Sequence, residues 1–139
     1  MLAVDTNILA RFYIAETDPE AAKQHKTATS IMAQPALFVA RTVVLELEWV
    51  LRGGYGYARE DVARVLDHLL GLPNVVIENR EIVEDALRCY CDGLDFADAL
   101  HLAAAKSARL FATFDGKFVK RAERLGLQPG VTLPTKAIQ

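Results

Sequence analysis

Apolar residues fall along this chain in two patterns. Short unbroken runs occur at Leu2-Ala3-Val4, Leu37-Phe38-Val39-Ala40, Val75-Val76-Ile77 and Leu110-Phe111-Ala112-Thr113, with a weaker one at Val131-Thr132-Leu133. These predict short buried strands, the last at a sheet edge. Between them apolar positions recur every three or four residues, which predicts amphipathic helices. Ile8, Leu9, Phe12 and Tyr13 mark the first, and a second runs from Asp18-Pro19-Glu20 to about Ala33. Others cover Thr42 to Leu51, Arg59 to Leu70, the stretch after Asn79 carrying Ile82, Val83, Ala86, Leu87 and Tyr90, Asp95 to Ala105, and Lys117 to Leu125. The resulting order, β-α-α-β-α-α-β-α-α-β-α-β, predicts an α/β fold with a central, mostly parallel sheet of four to five strands. A single domain over residues 1–139 is expected, because no linker or repeat interrupts the pattern.

Local signals set the expected boundaries. Asp18 reads as a helix cap with Pro19 in the first turn, and Thr42 and Asn79 as further caps. Gly53-Gly54-Tyr55-Gly56-Tyr57 reads as a helix end and connector, and Gly126 as another helix end. Seven of the nine residues from Val43 to Leu51 are apolar, so protein is expected on most sides of that helix. Glu46 and Glu48 are the exceptions and lie about 200° apart on the wheel. Glu46 is expected to face the strand ends, Glu48 to face solvent, and Trp49 to anchor a core or an interface. His25 and His68 are expected at the surface, and His101 beside Asp98.

Composition narrows the class. The chain is 52% hydrophobic and 24% charged, which excludes a disordered tail and suits a compact core. No apolar run is long enough to span a bilayer, and too few residues precede Asp5 for a secretory leader, so a cytoplasmic protein is expected. The net charge of −2 offers no global field for nucleic acid, but from Lys106 onward seven cations face two acids. Cys89 and Cys91, two apart on a helix, do not bridge, match no zinc pattern and are expected as small buried thiols.

The candidate chemistry lies in acids at element junctions. Asp5 and Asp115 follow strands, whereas Glu46 and Asp98 lie near the starts of helices. In a parallel α/β sheet, strand C-termini and crossover-helix N-termini share one edge, which is where such folds bind ligands. Capping is the competing role for Asp5 or Thr6, and for Asp95 with Asp98. Carboxylates about 4 Å apart repel by roughly 4 kcal/mol at an effective dielectric near 20, so a cluster needs protons or a cation. Hard oxygen donors without sulfur suit Mg²⁺ or Mn²⁺, which activate water and stabilise in-line displacement at phosphorus. Asn7 and Thr113 are candidates for orienting a carboxylate or a water.

Asp5-Thr6-Asn7, Glu46 in Val44-Leu45-Glu46-Leu47, Asp95-Phe96-Ala97-Asp98-Ala99-Leu100-His101 and Thr113-Phe114-Asp115 together resemble the PIN-domain nucleases, above all the VapC-type toxins of toxin–antitoxin pairs. The resemblance covers essentially the whole chain, in order. It implies a three-layer α/β/α fold, Mg²⁺- or Mn²⁺-dependent cleavage of RNA, a homodimer, and a VapB-like antitoxin whose C-terminal part blocks the acidic site. Matched by motif, Asp5, Glu46, Asp98 and Asp115 are the metal-binding catalytic quartet, with Thr6, Asn7, Asp95 and Thr113 in support. Lys117, Lys120 and Arg121 are candidates for phosphate contacts, the alternative being a solvated helix face.

Two other classes compete. A haloacid-dehalogenase-like phosphatase uses the aspartate after the first strand as nucleophile and a second aspartate two residues on, where this chain has Asn7. A non-catalytic binding module would use the acids only to grip a partner's arginine.

Overall fold

A computed structural model describes residues 1–139. The chain forms two compact units, Met1–Arg80 and Glu81–Gln139. In the first, β1 (Leu2–Ala3), α1 (Thr6–Tyr13), α2 (Pro19–Met32), β2 (Leu37–Val39), α3 (Arg41–Trp49), a π-helical turn (Val50–Gly54), α4 (Arg59–Gly71) and β3 (Val75–Ile77) follow in order. The three strands pair in parallel in the order β1-β2-β3, with Leu2 opposite Leu37 and Leu37 opposite Val75. Helix pairs return the chain between successive strands, so all three strand C-termini lie on one edge.

The second unit takes up α5 (Arg80–Cys91), which opens at the boundary residue, followed by α6 (Phe96–Ala104), β4 (Leu110–Ala112), α7 (Gly116–Leu125), β5 (Gly130–Thr132) and α8 (Pro134–Ala137). Here β4 pairs in parallel with β5. The α/β class and the parallel pairing follow the hydrophobic pattern. The expected sheet of four to five strands is instead a three-stranded and a two-stranded ladder. Strands of two or three residues offer few ladder positions, and apolar runs do not reveal which ones join.

The first unit buries Leu9, Leu37, Val39, Val44, Leu47, Leu51, Val62, Leu66 and Leu69, and the second buries Val83, Ala86, Tyr90, Leu94, Phe96, Ala99 and Phe118. Each fully buried Leu or Phe contributes about 1.5–3 kcal/mol relative to exposure. Tyr90 and Phe96 meet edge to face at 5.4 Å, which fixes the start of α6 against α5.

Several caps are as expected. Asp18 accepts from the Ala21 amide with Pro19 in the first turn, and Gly126 ends α7 at φ +65°, where a side chain would be strained. Thr42 is not a cap: α3 begins after Ala40, and Glu78, from the end of β3, accepts the Arg41 amide at 2.9 Å. A neighbouring strand thus satisfies a helix end that local sequence left open. Gly53 and Gly54 lie inside the π turn rather than after the helix. Neither thiol is buried as expected: Cys89 is half-buried and Cys91 exposed, because two residues apart on α5 they point in different directions and neither faces the core squarely. No helix is long and apolar enough to cross a membrane.

Candidate metal centre

In the first unit the candidate residues gather at the junction after β1. Asp5 is the N-cap of α1, its Oδ1 accepting from the Ile8 amide at 3.1 Å. One oxygen is used by the cap and the other remains available, so capping and ligand binding are compatible at this residue. Thr6, only 5% exposed, donates its hydroxyl to Glu46 Oε1. This bond joins residues 40 positions apart and fixes the Glu46 carboxylate beside the Asp5–Asn7 turn. Asn7 is exposed, and with Asp5 it lines a cleft of about 820 Å³ bounded by α1 and α2.

Glu48 departs from expectation. It is buried at 3% exposure rather than facing solvent, and it accepts from Arg52 Nε at 2.6 Å. Burial of a carboxylate demands such a donor, and the i,i+4 spacing supplies it. Of the two roles expected for Trp49, the core is excluded, because the residue is 62% exposed. His25 is half-buried and hydrogen-bonds the Arg11 carbonyl through Nδ1 at 2.6 Å. His68, at the surface as expected, meets the Tyr13 hydroxyl at 2.8 Å.

The second unit brings three acids to one small cavity of about 120 Å³, lined by Leu94, Asp95, Asp98, Asp115, Lys117, Phe118 and Arg121. Asp95 caps α6, accepting the Asp98 amide at 3.2 Å. Asp115 caps α7 through Oδ1, which accepts from the amides of Lys117 at 2.9 Å and Phe118 at 3.3 Å. Thr113 Oγ1 accepts the Asp115 amide at 3.0 Å and so holds the turn that aims Asp115. The Asp98 carboxylate has no hydrogen-bond or ion-pair partner in the protein. Partial burial, then the charges of Asp95 and Asp115, push its carboxyl above the usual aspartate range, against a smaller opposing effect of His101.

The three candidate phosphate contacts part company. Lys117 and Arg121 line the acidic cavity, whereas Lys120 is exposed on α7. Arg121 is not simply solvated, because it donates to the Gly93 carbonyl at 2.6 Å and ties down the loop before α6. Its partner is a backbone oxygen, so no side-chain pattern announced it.

In neither unit do three Asp, Glu, His or Cys side chains form a group able to hold an ion by itself. In each unit the oxygens left free are nevertheless hard donors of the kind a divalent cation such as Mg²⁺ takes. Asp5 and Asp115 each keep one oxygen outside their cap bonds, and both Asp98 oxygens accept no hydrogen bond.

Residues 2–124 match the PIN domain family, and the chain belongs to it. PIN domains are typically metal-dependent nucleases acting on RNA or other nucleic acid, and they commonly bind Mg²⁺ or Mn²⁺. No curated protein matches the chain.

Proposed function

We propose that this protein is an endoribonuclease toxin of the VapC type, dependent on Mg²⁺ or Mn²⁺, with Asp5, Glu46, Asp98 and Asp115 as its metal-binding catalytic acids. The observation that carries the reading is the unpartnered Asp98 carboxylate between two further acids, an arrangement that a cation relieves. The order of the four acid motifs within the family match supports assigning both units to one functional domain.

When bound, the cation supplies an activated water and charge stabilisation at the scissile phosphate. The chain's own residues prepare for this. Thr6 orients Glu46, Thr113 aims Asp115, and the cap bonds of Asp5 and Asp115 fix which oxygens remain free. Lys117 neutralises phosphate at the cavity rim. With hard oxygen donors and a water nucleophile, no serine or cysteine is required, and Asn7 stands where a phosphoaspartyl mechanism needs an acid. The subtype adds a homodimer, a VapB-like antitoxin covering the acids, and action on cytoplasmic RNA.

Single-stranded RNA incubated with the purified protein is expected to be cut with Mn²⁺, and left intact with EDTA or by Asp5→Asn. Asn caps a helix as well as Asp, so that variant keeps α1 and removes only the charge. Equal cleavage by Asp5→Asn, or cleavage in EDTA, overturns the assignment.

A further inference from the structure

We propose that Trp49 is a stacking platform for an unpaired base of the RNA substrate, an inference that rests on the ribonuclease reading above.

The argument starts from the two faces of α3 and its π turn. Val44, Leu47, Glu48 and Leu51 are buried, whereas Thr42, Glu46, Trp49 and Gly53 are all exposed. The exposed set is spaced four, three and four residues apart, which is a single helical stripe. The candidate acid Glu46 and the indole therefore share one face, about 4.5 Å apart along the axis.

An indole 62% exposed forgoes most of its burial energy, and on this face nothing apolar accompanies it along the stripe. A Cβ placed on Gly53 would reach Trp49 Cε2 at 3.9 Å and Nε1 at 4.0 Å, ordinary contact distances, so the π turn passes beside this edge of the indole and, carrying glycine there, leaves it uncovered by a side chain. Stacking needs an aromatic face open to solvent beside the path of the strand's backbone. Base-paired RNA hides its base faces, whereas single strands expose them, so the occupant is an unpaired base flanking the phosphate that a cation held by Glu46 would bind.

Trp49 is the only tryptophan, so its emission reports this position alone. Single-stranded RNA titrated into Asp98→Asn protein is expected to quench that emission. A duplex of equal length and an abasic sugar-phosphate oligomer leave it unchanged. In Mn²⁺-dependent cleavage, Trp49→Ala is expected to raise KM about 5- to 150-fold, the equivalent of one lost stack, with a smaller effect on kcat. Trp49→Phe recovers most of that loss, and both variants melt close to wild type because little burial is removed.

If the wild type cuts RNA while its emission ignores the strand and Trp49→Ala keeps its KM, the platform is refuted and the nuclease stands. If Trp49→Ala changes sedimentation from dimer to monomer without any RNA quenching, the indole belongs to a protein interface and the inference fails. If the wild type cuts no RNA in Mn²⁺, the nuclease reading falls first and takes this inference with it.

Discussion

At the residue scale, Asp98 is under opposing demands. Burial and the fields of Asp95 and Asp115 disfavour its charged form, yet a divalent ion needs that form. Its folded carboxyl titrates above the unperturbed 3.8, so between those values the folded state binds more protons than the unfolded one. Stability from this group therefore falls as pH rises through that window and is not recovered at neutrality. In metal-free buffer, Asp98→Asn is expected to melt above wild type at neutral pH, and the difference should vanish below the unperturbed aspartate value. Thermal unfolding in EDTA at the two pH values measures this, and a wild type at least as stable as the variant at neutrality contradicts it. The same substitution is expected to abolish Mn²⁺-dependent cleavage. The position of this acid in the first turn of a helix was legible from the sequence. Its lack of a partner was not, because that depends on where Asp115 arrives from 17 residues away.

At the element scale, α3 shows how far periodicity reaches. Its apolar face was legible, but Glu48 was assigned to solvent because a carboxylate reads as polar wherever it falls. The structure buries it and brings Arg52 Nε to Oε2 at 2.6 Å. The Arg52 side chain keeps 40% exposure, so the pair is screened more than a wholly buried one. Arg52→Ala is expected to cost about 1–3 kcal/mol, below the range for fully buried pairs. Chemical denaturation reads this, and a change under about 0.5 kcal/mol would match a surface pair instead. The cap of α3 carries the same lesson, since Glu78 satisfies the Arg41 amide from another strand.

At the scale of the whole molecule, the metal proposal makes a thermodynamic claim. An ion that binds the folded chain and not the unfolded one stabilises it by about 2.7 kcal/mol at a hundred times its Kd. For a chain of this length that is a Tm rise of several degrees. Millimolar Mn²⁺ is expected to raise Tm, EDTA to reverse the rise, and Asp98→Asn to blunt it. A flat response across that range in the wild type counts against a metal held by these acids. Net charge does not help here, because −2 is compatible with many partners and the acids act through local fields.

The sequence by itself determined the order of strands and helices, the α/β class and the placement of Asp5, Asp98 and Asp115 at helix starts, because these depend on periodicity and on residues adjacent in the chain. It also carried the two roles of Asp5, cap and acid, without separating them. Only the tertiary structure decided what joins distant positions: the Thr6–Glu46 bond, the Glu78 cap, the Arg121–Gly93 tie, and the division of strands between two ladders. Hydrogen bonds between residues tens of positions apart depend on how elements pack, and local pattern does not encode that packing. The exposure of Trp49 belongs with them, since hydrophobicity alone left both a core and an interface open to this indole.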